Sequence, residues 1–344
     1  MIDVVVALIF CMGIPVIIMA MLEPSLHKTA PKTGNFRGVL VYNGLGIVWF
    51  VWLISFWIGA QILVVLGVSL PSWIRYLEYL FPVLAGSCAF GLFDDWASNN
   101  QIKGFRGHLN ALVHGRLTTG GLKFLGIGFL SLFLAISLYY DGPETILHVV
   151  LVTCVIALTA NLMNLFDLRP GRAGKMYILG LVIAILFFIV FRFADALGWW
   201  SLLGLTLAAL GPLVAVWRFD LAERGMIGDA GANSMGALLG FFYATSLPIW
   251  ALVILTVFLA TINLLSERFS FTKIIEGSKV LTALDELGRR KDIAADDGEG
   301  SSVQDGAQRA TQRATQSVTQ DATQHATQRA MQDGDMNENR TSGK

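Results

Sequence analysis

The feature that most constrains this fold is a succession of long apolar runs, each close to the length of a membrane span. They lie at about 2–22, 43–66, 76–93, 121–139, 145–166, 176–193, 199–217, 232–246 and 248–265. A helix needs about 20 apolar residues to cross a bilayer. Only 15% of the residues are charged, against about 25% in soluble domains. The sequence therefore predicts an all-α polytopic membrane protein with about nine transmembrane helices, in a range of about nine to eleven.

Lys and Arg residues are concentrated in alternate loops between these runs. The loops rich in basic residues are 23–42, 94–120, 167–175, 218–231 and the segment from 266 to 292, which together hold 17 Lys and Arg. The other loops hold only Arg75, with Arg192 at a boundary. Since basic residues mark cytoplasmic loops, we expect the N-terminus to lie outside and the basic loops to lie in the cytoplasm.

The chain changes character after about residue 292. Residues 309–332 repeat a four-residue unit ending in Thr-Gln or Met-Gln, with no apolar side able to form a core. We expect a membrane domain at 1–292 and a disordered, low-complexity cytoplasmic tail at 293–344. The repeat is typical either of a partner-binding segment or of repeat slippage without function.

Four aspartates lie at the ends of apolar runs that the loop charges assign to one side. Asp94 and Asp95 end the third run, Asp167 follows the fifth and Asp229 precedes the eighth. Carboxylates at a membrane boundary are costly and often functional, although a solvated helix end is the simpler alternative. Together they could hold a divalent metal, with Mg²⁺ favoured beside phosphates and Mn²⁺ as the alternative.

A polar stripe precedes Asp167 on the fifth run. Asn161, Asn164 and Asp167 are spaced at i, i+3 and i+6 and therefore share roughly one helix face. Arg169 and Arg172 follow in a Pro-Gly turn and could grip a diphosphate. Two plainer interpretations stay open: amides can join helices in a membrane, and the cations suit any cytoplasmic loop.

Taken together, these segments resemble the polyprenyl-phosphate N-acetylhexosamine-1-phosphate transferase family, which includes the phospho-MurNAc-pentapeptide translocase and GlcNAc-1-phosphate transferases. The resemblance covers most of residues 1–265 and rests on the order of four motifs. These are the pair Asp94-Asp95, the segment from Gly115 to Lys123, the Asn161-x-x-Asn164-x-x-Asp167 pattern and Gly228-Asp229-x-Gly231.

The resemblance implies Mg²⁺-dependent transfer of an N-acetylhexosamine-1-phosphate from a UDP-sugar to polyprenyl phosphate in a bacterial plasma membrane. It implies that Asp229 and Asp95 bind the metal and that Asp94 and Asp95 position the lipid phosphate or accept its proton. Asp167, with Asn164, would orient the nucleotide diphosphate, and Lys123 would neutralise phosphate charge. The remaining expected substrate contacts are Asn161, Arg169, Arg172, Arg268 and Lys32. The expected partners are the membrane, polyprenyl phosphate and UDP-N-acetylhexosamine; no nucleic acid is expected, and a homodimer is an open option.

Two departures from the family pattern keep other functions open. Pro170 stands where the family usually has a second acid, and the last basic loop has no histidine cluster, so that Arg268 and Lys273 would have to contact phosphate instead. A non-catalytic lipid-phosphate binder or scaffold is therefore the alternative. A cation-coupled transporter fits less well, because transporter sites lie near the midplane whereas these acids lie at one boundary.

Overall fold

The computed structural model describes residues 5, 7–97, 104–139, 145–192 and 198–290. Within this part, eight helices are long and apolar enough to cross a membrane. They are α1 (Leu8–Thr29, π-helical over Leu8–Gly13), α2 (Ile47–Val65), α3 (Ser72–Ala97), α5 (Thr119–Tyr139), α6 (Thr145–Phe166), α7 (Arg172–Arg192), α8 (Gly198–Leu221) and α10 (Ile249–Ser266). The prediction of an all-α polytopic membrane protein is confirmed.

The helix from Gly228 to Ser246, α9, corresponds to the remaining predicted span and lies at the centre of the bundle. It is buried along nearly its whole length, and its Gly- and Ala-rich sequence is less apolar than the other spans. Gly236 and Gly240 let α6 approach closely: a Cβ atom on Gly236 would lie 2.5 Å from Cα of Ala160, and one on Gly240 2.6 Å from Cα of Ile156. This is the small-residue spacing by which membrane helices pack backbone against backbone.

A small sheet joins the connection after α1 to the connection before α9. Strands β1 (Lys32–Gly34) and β2 (Leu40–Asn43) are antiparallel, and β3 (Gly225–Met226) pairs in parallel with β2. The pairing continues past the strands, where Gly46 N–H donates to Ile227 O at 2.9 Å. It therefore holds Asn43 beside the first turn of α9. Strands this short carry no period in the sequence and were not predicted.

One helix boundary and three additional short helices differ from the hydropathy prediction near the site. Helix α3 continues to Ala97 rather than ending at 93, so Asp94 and Asp95 lie in its last helical turn. The stretch 94–120, predicted as a loop, contains the ten-residue helix α4 (Gly104–Val113). The predicted loop after 265 contains α11 (Phe271–Glu276) and α12 (Lys279–Glu286). These short helices are too brief or too polar to appear as apolar runs.

The described helices and the sheet belong to one compact unit, Met1–Arg289. The predicted tail at 293–344 lies outside the described residues.

Candidate functional site

The ends of three helices bring a lysine between two aspartates. Lys123, in the first turns of α5, has its Nζ 2.7 Å from Oδ2 of Asp94 at the end of α3. The same ammonium pairs with the carboxylate of Asp229 in the first turn of α9. All three side chains are largely buried. One cation therefore serves two carboxylates in a setting with little water to screen them.

Asp95 joins α3 to the first turn of α9. Its Oδ1 accepts from Asn43 Nδ2 at 3.0 Å and from the Asp229 backbone N–H at 3.1 Å, and its Oδ2 accepts from Ala230 N–H at 3.2 Å. A carboxylate here satisfies helix N–H groups that have no partner within the helix. Asp95 therefore fixes the position of Asp229, whether or not it also binds a metal as predicted.

Gly228 allows this contact between Asp95 and α9. Its φ is +72°, and a Cβ atom at this position would lie 2.6 Å from Oδ2 of Asp95 and 2.4 Å from Oδ1 of Asn43. Both the backbone conformation and the lack of space require glycine.

Asp167 follows the last residue of α6 and lies near the same carboxylates. Burial raises the pKa of Asp167 well above its ordinary value, and the negative charges of Asp220, Asp95 and Asp229 raise it further. Asp220, in the last turn of α8, is only 1% exposed, and its Oδ2 accepts the Gly171 N–H at 2.7 Å. The sequence prediction missed Asp220, although a lone acid at the end of an apolar run was the signal that identified the other aspartates.

A cavity of about 550 Å³ opens beside this group between α4, α5, α6 and α10. Asp94 and Lys123 line it together with four amides, Asn161, Asn164, Asn233 and Asn263. Its other walls are mainly apolar and include Leu125, Ile127, Leu158 and Leu264. The cavity is therefore amphipathic: Asp94, Lys123, Glu267 and His108 contribute charged and polar side chains to its lining, and the spans contribute long apolar walls.

The amides from α6 and α10 are joined across the cavity wall. Asn161 Nδ2 donates to Asn263 Oδ1 at 2.6 Å, and Asn263 Nδ2 donates to the carbonyls of Leu158 and Leu259 at 3.2 and 2.8 Å. Asn161 therefore joins two helices and also lines the cavity; its contact with a ligand stays a prediction.

The arginines predicted to grip a diphosphate have other partners. Arg172 is 2% exposed, and its Nε and Nη2 donate to Oδ1 and Oδ2 of Asp285 at 2.7 and 3.0 Å. Arg169 pairs with Glu276 in α11. The described lining of the cavity includes neither arginine. These contacts connect the loop after Asp167 to α11 and α12 and leave Arg172 no open side towards a substrate.

Arg268 and Lys32, the remaining predicted substrate contacts, lie on the surface. Both residues are exposed, and neither is among the described residues that line the cavity. Lys32 lies in the edge strand β1, and Arg268 follows the end of α10. Their predicted role in substrate binding stays a prediction.

The carboxylates suit a hard cation by chemistry, without forming a closed cage. No group of three His, Cys, Asp or Glu within the described ranges is placed to hold a metal. Magnesium needs only one or two protein carboxylates when phosphate oxygens and waters complete its shell. Asp94 and Asp229, each bonded to Lys123, offer such a pair. The residues thus fit Mg²⁺ that arrives with a phosphate ligand.

Comparison with known proteins assigns neither a family nor a function to this chain. No protein-family model matches the chain, and no curated protein matches it. Function is therefore inferred from the residues of the site and from their chemistry.

Proposed function

We propose that this chain is a membrane transferase that moves an N-acetylhexosamine-1-phosphate from a UDP-sugar to polyprenyl phosphate. The observation that carries the proposal is the amphipathic cavity, which has Asp94 and Lys123 in its lining and apolar walls along α5, α6 and α10. A lipid phosphate has the same division into a charged head and an apolar chain. A soluble phosphate compound would gain nothing from the apolar walls.

Apolar, basic and acidic residues of the site would have different roles in this transfer. The lipid chain would lie along the apolar walls, and Lys123 would neutralise the phosphate, as preorganised charge does in such transfers. Asp94 would orient the lipid phosphate or accept its proton. Asp229, together with Asp94 or Asp95, would hold Mg²⁺, which would supply positive charge to the transferred phosphate. Asp167 and Asn164 would orient the nucleotide.

The proposed reaction exchanges one phosphoryl bond for another. An oxygen of polyprenyl phosphate forms a bond to the β-phosphorus of the UDP-sugar. The bond from that phosphorus to the bridging oxygen breaks, and UMP leaves with the bond's electron pair. The products are a lipid diphosphate-sugar and UMP. The distribution of basic loops supports a site on the cytoplasmic side of the membrane. The proposed membrane is the plasma membrane of a bacterium.

A second function, binding of lipid phosphate without transfer, is favoured by one observation. Arg169 and Arg172 are paired with Glu276 and Asp285, which removes two cations expected to hold the nucleotide diphosphate. Such a protein would bind polyprenyl phosphate and release no UMP.

The two functions are separated by an assay of UMP release. The purified chain is supplied with Mg²⁺, undecaprenyl phosphate and a panel of UDP-N-acetylhexosamines. The proposal expects UMP release with at least one sugar nucleotide, abolished by EDTA and by Asp229→Asn. The control is Glu78→Gln, a carboxylate that accepts from Gln61 at 3.0 Å near the opposite end of α3. Silence across the panel, with lipid phosphate still bound, would leave the binding function and reject transfer.

A further inference from the structure

One amide in the cavity has a hydrogen-bond donor that nothing in the described protein uses. Asn233 is 2% exposed and lines the cavity, and its Nδ2 has no partner among the described residues. Burying an amide without a partner costs about 1–3 kcal/mol. Such a group in a native site therefore calls for an acceptor that the described part of the chain does not provide.

Two of the other three amides that line the cavity donate their N–H groups within the protein. Asn263 uses its Nδ2 on two backbone carbonyls, and Asn161 uses its Nδ2 on Asn263. They hold α6 against α10 and are explained by that packing. The Asn233 donor has no comparable packing role.

The position of Asn233 on α9 indicates which part of a ligand it would meet. Asn233 lies one turn, about 6 Å along the axis, beyond Asp229 and on the same face of the helix. The next residue on that face, Ala237, is apolar and fully buried. Asn233 is therefore the last polar residue of α9 along this face before the helix becomes apolar.

The cavity beside Asn233 has apolar walls on helices that face lipid. Leu125 is 46% exposed and Leu264 is 67% exposed, and both lie within membrane spans. An amphiphile could therefore keep its chain against apolar side chains while its head group contacts Lys123 and Asn233.

We propose that Asn233 is a positioning residue that donates its amide N–H to a phosphate oxygen of a lipid phosphate and so sets how deeply the head group lies. This inference rests on the proposed function, since it assigns a contact to the same lipid substrate. A neutral donor adds a hydrogen bond without changing the charge of the cluster, and phosphate has several oxygens to share between Asn233 and Lys123.

Binding of farnesyl phosphate tests this contact without any transfer step. The full chain in zwitterionic nanodiscs is titrated with farnesyl phosphate and, separately, with farnesol. Asn233→Leu, which removes the donor at similar volume, is expected to weaken farnesyl phosphate binding about 10- to 100-fold. Farnesol binding is expected to stay unchanged, a selectivity that loss of packing alone would not produce.

Two further variants separate the contact from the fold. Asn233→Ser, which keeps a shorter donor, is expected to bind farnesyl phosphate more tightly than Asn233→Leu. Ser87→Ala removes a buried hydroxyl that also lacks a partner in the described chain but does not line the cavity, and it is expected to match the wild type. If leucine prevents folding, Asn233→Ala gives the same comparison without apolar bulk.

The binding measurements overturn the inference if the wild type does not bind farnesyl phosphate, if Asn233→Leu weakens binding of farnesyl phosphate and farnesol equally, or if the substitution has no effect. Competition by inorganic phosphate as strong as that by farnesyl phosphate would reject a lipid source. If binding of farnesyl phosphate depends on Asn233 but no UMP is released, the transfer proposal fails and this contact stands. If wild type and Asn233→Leu release UMP equally, this contact is rejected and the transfer proposal stands.

Discussion

Two groups of charges lie close together at one end of the helices and are neutralised to different degrees. The carboxylate cluster contains Asp94, Asp95, Asp167 and Asp229 with the single cation Lys123. The arginine cluster contains Arg169, Arg172 and Arg289 with Asp285 and Glu276. The first contributes Asp94 and Lys123 to a cavity, whereas the second is closed by the protein itself.

The arginine cluster is satisfied by internal contacts. Asp285 binds Arg172 through both oxygens and Arg289 through Oδ2 at 3.0 Å. Arg289 also donates to the carbonyl of Pro170 at 3.3 Å, so the turn that contains Pro170 is held by the segment just after α12. Charges paired in this way within a protein indicate structure rather than ligand binding.

The carboxylate cluster retains an excess of negative charge beside open space. Only Asp94 and Asp229 of the four carboxylates are paired with Lys123 in the described chain. Burial raises the pKa of Asp167, and the negative charges of Asp220, Asp95 and Asp229 raise it further. An arrangement of this kind costs stability and is typical of functional sites. The comparison suggests that removing a charge will have opposite effects on stability in the two clusters.

The largest expected effect is on folding, in the arginine cluster. Asp285→Ala leaves the guanidinium groups of Arg172 and Arg289 buried without their carboxylate, at an expected cost of about 3–5 kcal/mol. The measurement is thermal unfolding of the purified chain in detergent. Glu78→Gln is the matched control and should unfold near the wild-type temperature. An unchanged Tm for Asp285→Ala would show that the cluster does not support the fold.

The next effect is on activity, in the carboxylate cluster. Lys123→Met removes the only cation paired with Asp94 and Asp229 in the described chain while keeping the apolar stem. If Lys123 stabilises charge on the transferred phosphate, UMP release should fall about 10²- to 10³-fold. The retained fold is checked by size-exclusion chromatography. A loss of less than threefold would contradict this role.

A third prediction tests whether removing a negative charge from the carboxylate cluster stabilises the protein, whereas removing one from the arginine cluster destabilises it. The pKa of Asp167 is raised in the folded protein by burial and by neighbouring carboxylates, so above the unfolded pKa its ionisation opposes folding. Asp167→Asn should therefore raise Tm at pH 7 and lower UMP release. The difference in Tm should shrink as the pH falls towards about 4. A lower Tm at pH 7 would show that the repulsion is neutralised in solution.

The pH dependence of the arginine cluster should have the reverse sign. Burial acts to raise the pKa of Asp285, but hydrogen bonds and charges from Arg172 and Arg289 outweigh it and hold the pKa below its ordinary value. The stability that Asp285 contributes should be complete above about pH 4 and should be lost as the pH falls further. Tm measured from pH 7 to 3 should fall more in the wild type than in Asp285→Asn, because the variant has already lost the contribution of Asp285.

The smallest expected effect concerns Phe36, whose ring lies 4.9 Å from Cζ of Arg169 and 5.1 Å from that of Arg289. Phe36→Leu should lower stability by about 0.5–1 kcal/mol for each cation–π contact at this half-exposed ring. Chemical unfolding of the variant measures this. A matched Phe269→Leu control replaces another exposed phenylalanine and should have less effect.

Much of the membrane fold could be read from hydropathy. Eight of the nine predicted runs became helices long and apolar enough to span, because exposure to lipid requires an apolar composition along the whole helix. The same reasoning located Asp94, Asp167 and Asp229, since an acid at the end of an apolar run is conspicuous. Helix α9 shows the limit: it is enclosed by protein, and its Gly- and Ala-rich sequence reflects contact with α6 rather than with lipid.

Only the folded chain decided which charges face the cavity. Arg172 and Asp285 are separated by 113 residues, and no local pattern distinguishes a phosphate-binding arginine from one already paired. Asp95 accepts from N–H groups in the first turn of α9, and Asp220 accepts from Gly171 in the loop after Asp167. The Nδ2 of Asn233 has no partner in the described chain. Hydropathy and helical period depend on neighbours in the chain, whereas hydrogen bonds and ion pairs depend on which helix ends meet in space.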